Sequence, residues 1–218
     1  MRIKRDNDDA EGRRERHLDW PTWFKICLGT ARGLAYLHED SRPKIIHRDV
    51  KTSNILLDAK LCQKISDFGL AKLYDDTKTH ISTGVAGTRR CIRNPSFSWS
   101  GYLALEYAMR GHLTKMADVF SFGVVALEIM SGRPNSDTSL DREKIYLLEW
   151  AWSLHESNQS SGLMDPNLAE FSEIKALRII GVAYCAVPLM SHVINMLAGE
   201  IDLETVTSKP SCLTDWGF

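Results

Sequence analysis

Apolar residues recur at helical spacing along several stretches of the chain, and between the first two of them that spacing breaks down. The first stretch begins near Asp19, a residue type that caps helix N-termini, with Pro21 tolerated in the first turn. Trp23, Cys27, Ala31, Leu34 and His38 then share one face, which predicts its burial. Helical patterns return over 115–130, 143–156, 173–186 and 189–197. Gly132 with Pro134 predicts the end of the first of these, and Asp165-Pro166-Asn167 a turn between the second and third. Phe122, Val125 and Ile129 read as core on the 115–130 helix.

Between residues 45 and 73 the period changes. Ile45-Ile46, Ile55-Leu56-Leu57 and Lys64-Ile65 are short apolar pieces separated by polar turns, which predicts small strands and loops. Residues 75–100 are rich in Thr, Ser, Gly and Arg without periodicity, and a loop of that length is usually functional or disordered. Residues 1–18 are charged and mixed in sign, so they read as a disordered leader, with 19–200 as the folded domain and 201–218 as a tail.

Composition narrows the picture without changing it. Hydrophobic content of 44% and charged content of 25% are those of a globular protein. A net charge of −1 gives no global field for nucleic acid or an anionic membrane. The five cysteines form no C-x-x-C pair, which suggests reduced thiols and neither a disulfide framework nor a zinc site. The start of the chain is too polar for a signal peptide, and the best apolar run, 179–190, is too short for a transmembrane span. These features predict a cytoplasmic location. His80 and His112 have no ligand-like partners in sequence and read as solvent-facing loop residues.

The candidate chemistry lies in the aperiodic region, which reads His47-Arg48-Asp49-Val50-Lys51-Thr52-Ser53-Asn54 and then Ile65-Ser66-Asp67-Phe68-Gly69. H-R-D-x-K-x-x-N followed by D-F-G resembles the catalytic loop and metal-binding turn of protein kinases. Leu18-Asp-Trp-Pro, Gly33-Leu-Ala-Tyr-Leu-His, Asp118-Val-Phe-Ser-Phe-Gly-Val and Leu127-Glu-Ile-Met-Ser-Gly-Arg extend the likeness to plant receptor-like serine/threonine kinases of the leucine-rich-repeat group. The resemblance implies a mainly α, protein-kinase-like C-terminal lobe with short strands around the catalytic loop and with the N-terminal β-lobe absent. It implies ATP with Mg²⁺ as cofactor, and a protein substrate or parent receptor-like kinase as partner, with no nucleic acid. It also implies a place on the cytosolic face of the plasma membrane.

The resemblance further implies roles residue by residue. Asp49 accepts the substrate hydroxyl proton and Lys51 balances charge on the transferring phosphate. Asn54 and Asp67 offer hard oxygen ligands to Mg²⁺, and Leu56 belongs to the nucleotide site. His47, Phe68, Glu106 and Asp118 are structural, with Asp118 binding the catalytic-loop backbone from a buried helix. Gly69 allows a sharp turn after Phe68. Arg48 grips a phosphate on the activation segment, for which Thr77, Thr79, Ser82 and Thr83 are candidates, with Thr88 also regulatory.

Three departures bear on activity. The sequence holds no G-x-G-x-x-G and no V-A-I-K-like strand lysine, the parts that hold ATP phosphates in the family. Residues 89–100 intervene where the family pattern G-T-x-G-Y-x-A-P-E allows one residue between Thr88 and Gly101, and Leu105 replaces the proline. Val187 stands where an arginine would pair Glu106, and losing one partner of such a buried pair costs about 3–5 kcal/mol. Together these predict a family kinase that is inactive as this chain alone. The alternatives are a non-catalytic pseudokinase-like interaction module or a non-functional truncated gene product.

Overall fold

The computed structural model describes residues 18–85, 102–168, 170–184 and 189–201. The expected leader (apart from Leu18), Thr88, the run 89–100, Val187 and the tail beyond residue 201 lie outside them, as do the side chains of Leu105 and Glu106.

Helix α1 spans Trp20–Ala35, and the Asp19 carboxylate caps it by accepting from the Thr22 amide at 3.0 Å. Ile26, Cys27, Thr30, Ala31 and Leu34 form its buried face, with Trp23 only half-buried. The helix runs on into a single π turn, Tyr36–Asp40, which carries Leu37 and His38 inward.

Helix α3, Lys115–Ser131, is the centre of the domain. It is buried from Ala117 to Ser131 except at Phe120, because apolar side chains surround it rather than forming one stripe. It packs against α1, against α4 (Leu147–Glu156) and against α5 (Glu173–Tyr184), while α6 (Met190–Ala198) closes over α1 and α5. Gly132 ends α3 in a left-handed conformation with φ +68°, as the sequence predicts. Helix α4 starts later than residue 143, where the pattern places it. The Asp137 amide takes the Ile145 carbonyl at 3.0 Å and the Leu147 amide takes that of Asn135 at 2.9 Å, drawing 145–147 into pairing instead.

In front of this bundle lie three two-stranded antiparallel pairs. Strand β1 (Lys44–Ile46) pairs with β4 (Lys72–Tyr74), and β2 (Ile55–Leu57) with β3 (Gln63–Ile65). Strand β5 (Ile81–Ser82) pairs with β6 (His112–Leu113). Strand β5 and helix α2, Leu105–Arg110, were not legible in the sequence, being too short to show a period. A second small cluster of Ile46, Ala104, Tyr107, Leu113 and Ala117 joins this front layer to α3. Among the described residues no helix is long and apolar enough to cross a membrane.

The α3–α5 contact yields a test whose sign is informative. A Cβ on Gly123 would stand 2.8 Å from the Ala183 backbone Cα, so the two helices are in direct contact there. Helix propensity alone would make Gly123→Ala stabilising by about 1 kcal/mol. Overpacking predicts the opposite, a loss of about 1–3 kcal/mol in urea unfolding; a gain in stability would contradict this packing.

Candidate active site

The site is built outward from one carboxylate. Asp118 lies in the first turn of α3 with its side chain fully buried. Its Oδ2 accepts from the His47 amide at 2.7 Å and its Oδ1 from the Arg48 amide at 2.8 Å, so both oxygens hold the loop backbone. His38, at the end of the α1 extension, meets Oδ2 through Nε2 at 2.9 Å. Nδ1 of His38 has no hydrogen-bond partner among the described residues. Asp118 is therefore a buried anchor, and helix α3 carries the loop 47–54.

The loop beyond that anchor is internally bonded. The Asp49 carboxylate receives Lys51 Nζ at 2.6 Å and Asn54 Nδ2 at 3.1 Å, both on Oδ2. Asn54 Nδ2 also donates to the Asp49 carbonyl at 2.9 Å, so both bonds of this buried amide nitrogen go to Asp49. Val50, Ile55 and Leu57 bury the loop's apolar positions, while Leu56 projects from the opposite face of β2 and is half-buried.

The second motif is tied to the first through the β2–β3 hairpin. The Asn54 carbonyl accepts from the Ser66 amide at 2.9 Å and from its hydroxyl at 3.0 Å. His47 Nε2 donates to the Ser66 carbonyl at 2.9 Å while Nδ1 accepts from the Asp49 amide at 3.3 Å, a pattern that fixes the neutral Nε2–H tautomer. The Phe68 ring meets the His47 ring edge-on at 4.9 Å and is otherwise exposed. These bonds fix Asn54 to Ser66, the residue before Asp67. The conformation differs from expectation at one point. Phe68–Leu70 is a 3₁₀ turn in which Gly69 has no positive φ, and the left-handed residue is Asp67, at φ 65° and ψ 64°. A Cβ on Gly69 would meet only Asp67 Oδ1 at 3.4 Å, so the turn is made by Asp67 and does not require glycine.

Arg48 also adopts positive φ, at 71°. Its guanidinium donates to the Leu70 carbonyl at 3.1 Å, to the Gly84 carbonyl at 3.0 Å and to the Tyr107 hydroxyl, so the group expected to hold a phosphate holds protein oxygens. Thr77, Thr79 and Ser82 are exposed and bonded locally, the first to Asp75 and the others to His80. The Thr83 amide donates to the Gly111 carbonyl at 3.2 Å. His80 and His112 are not solvent-facing: both are half-buried, with ring centroids 4.1 Å apart, because the β5–β6 pairing brings them together.

Sequence reasoning missed His38, Tyr102, Tyr107 and Glu128. The usable signal was burial, since a His or Glu inside an apolar helical face needs a polar partner. Glu128 is almost wholly buried on α3 and accepts the Asn135 amide at 2.7 Å. Burial raises its pKa, and the neighbouring Tyr102 and Thr52 hydroxyls and the Asn135 amide oppose that rise. The Tyr102 phenol is held above its ordinary range by burial first and then by the Glu128 charge.

The sequence profile of the family described as protein tyrosine and serine/threonine kinase matches residues 5–160. A probable leucine-rich-repeat receptor-like serine/threonine-protein kinase of Arabidopsis thaliana is 58% identical over 95% of this chain and 20% of its own length. A second Arabidopsis protein of the same description is 56% identical over 93% of this chain and 19% of its own. Cold-responsive protein kinase 1, also from Arabidopsis, is 46% identical over 91% of this chain and 50% of its own. The chain thus spans about a fifth of the first two relatives.

Glu128 gives a pH test. A carboxyl whose pKa is raised on folding binds its proton more tightly in the folded state, so its contribution to stability is greatest at low pH. That contribution falls as pH climbs from the ordinary value of 4.5 through the raised folded value. Urea midpoints measured across this window should decline for the natural chain, and Glu128→Gln should flatten the decline. Identical pH profiles for the two proteins would contradict the assignment.

Proposed function

Because this chain belongs to the protein tyrosine and serine/threonine kinase family, we propose that it forms the acceptor and metal side of an ATP-dependent serine/threonine phosphoryl-transfer site, the C-terminal lobe of a receptor-like kinase. The observation that carries the reading is the Asp49 carboxylate, held by Lys51 and Asn54 on a loop hung from buried Asp118. Both contacts fall on Oδ2, so Oδ1 is the oxygen left to take the acceptor hydroxyl's proton. Lys51, part-exposed beside it, neutralises charge that develops at the acceptor.

The residues fit the implied metal and nucleotide. Among the described residues no group of three or more His, Cys, Asp or Glu could hold an ion by itself. Asn54, bonded through its carbonyl to Ser66, and the exposed carboxylate of Asp67, the next residue, offer two hard oxygen donors of the type suited to a Mg²⁺ that takes its remaining ligands from phosphate and water. When bound, Mg²⁺-ATP supplies the phosphoryl group and neutralises its oxygens. Leu56, half-buried on β2, offers an apolar surface near those donors.

The glycine-rich loop and strand lysine of the family pattern are not within these 218 residues, so groups that fix the phosphates come from outside them. The reading places the chain on the cytosolic face of the plasma membrane, acting on a protein substrate. The run 89–100, set between Thr88 and the Gly101-Tyr102 step, favours a second reading as a non-catalytic partner of a parent kinase.

With radiolabelled ATP and a generic basic protein, these 218 residues alone should give no incorporation above an Asp49→Asn control. Positioning of the phosphates accounts for roughly 7–11 kcal/mol of such a barrier. Joined to the ATP-binding segment of a close relative, with 90–100 removed so that one residue separates Thr88 from Gly101, the chain should transfer phosphate, and Asp49→Asn should slow it on the order of 10²–10⁴-fold. Transfer by the fused protein that is indifferent to Asp49 would overturn the catalytic reading.

A further inference from the structure

We infer that Tyr107 is a positioning residue whose hydroxyl occupies Arg48 in place of a phosphate, so that residues 70–84 are latched to the catalytic loop without phosphorylation. The inference rests on the kinase reading for its consequence at Asp49, while the contacts stand by themselves.

Arg48 is 6% exposed and Tyr107 fully buried. Arg48 Nε donates to the Tyr107 hydroxyl at 3.1 Å, and Nη2 donates to the same oxygen. That hydroxyl in turn donates to the Gly84 carbonyl at 3.4 Å, so it joins Arg48 to the end of the segment. The guanidinium also lies 5.5 Å from the Tyr107 ring centroid. With Leu70 O and Gly84 O taking Nη1 and Nη2, Arg48 presents no open fork. A phosphate takes a guanidinium through two parallel bonds, and making them here would release one or both ends of the 70–84 segment.

Among the described residues, three of the hydroxyls that could carry a phosphate are bonded elsewhere. Thr77 donates to Asp75 at 2.8 Å, and Thr79 and Ser82 bond to His80 at 3.1 and 3.2 Å. The segment has further anchors that need no modification. Strand β4 pairs with β1 and β5 with β6. Between them Asp76 takes Lys44, and Lys115 at 2.8 Å, contacts that hold its carboxyl down at about 2. Arg48 precedes Asp49 and sits in a left-handed conformation with its amide on Asp118. Holding its side chain therefore holds the turn that presents Asp49.

The test uses the unphosphorylated, isotope-labelled 218-residue chain, checked by mass. The Arg48 Nε–H signal should be visible and slow to exchange, and amides within 70–84 should be protected. Alanine at Thr77, Thr79, Ser82 and Thr83 together should leave both unchanged. Tyr107→Phe should speed Arg48 Nε–H exchange about tenfold, the loss of one buried hydrogen bond, and loosen 70–84 while the Phe122 and Val125 amides stay protected. If Tyr107→Phe does not fold, Arg48→Lys, which keeps the charge without the fork, should give the same loosening of 70–84. An unchanged Nε–H signal in Tyr107→Phe, an unchanged segment in Arg48→Lys, or protection that arises only after phosphorylation would overturn the inference. None of these readings needs turnover. Failure here leaves the role of Asp49 standing, and failure of the fused-protein assay leaves this latch standing.

Discussion

The Asp118 carboxylate joins a helical core to a loop that could not hold its shape alone. Residues 47–54 have little repeating structure, and Arg48 within them is left-handed, a conformation that costs about 1–3 kcal/mol and persists only when its surroundings enforce it. Enforcement comes from α3, which places one fully buried charge where the His47 and Arg48 amides converge. Charge-assisted bonds of this kind are roughly twice as strong as neutral ones, and the low-dielectric setting magnifies their loss. His38 completes the carboxylate's shell and so links α1 to the same point.

Everything that bears on chemistry is arranged from there. The anchored backbone delivers Asp49 to Lys51 and Asn54, and Asn54 carries the amide of Ser66, the residue before Asp67. On the other side Arg48 reaches Leu70 and Gly84, so a single residue has its amide on the core and its guanidinium on the 70–84 segment. The site is thus a relay of hydrogen bonds between elements distant in sequence, each fixing the next.

Much of this was legible in the sequence where a period or a motif was long enough to read. Helices α1 and α3 announced themselves through caps and spacing, at Asp19, Gly132 and the Phe122–Val125–Ile129 face. The H-R-D and D-F-G motifs marked the candidate site, and the contact of Asp118 with the loop backbone was readable because the motif around it was. Short elements were not legible: α2 and the two-residue β5 have too few positions to show a period. Nor were contacts between distant residues, such as Tyr107 on Arg48 or the stacking of His80 on His112. The glycine of D-F-G misled, since the left-handed residue is Asp67, and no rule of residue preference would have chosen an aspartate over a glycine there.

The most direct test of the account is native-state hydrogen exchange at two amides in Asp118→Asn. The asparagine keeps one acceptor but turns an NH₂ toward the second amide. The His47 and Arg48 amides should then lose protection beyond the fall in global stability, by about 1–3 kcal/mol of opening free energy, while those of Phe122 and Val125 track the global value. Loss of protection at His47 and Arg48 no greater than in the core would contradict it, showing that the loop holds its shape without the buried carboxylate.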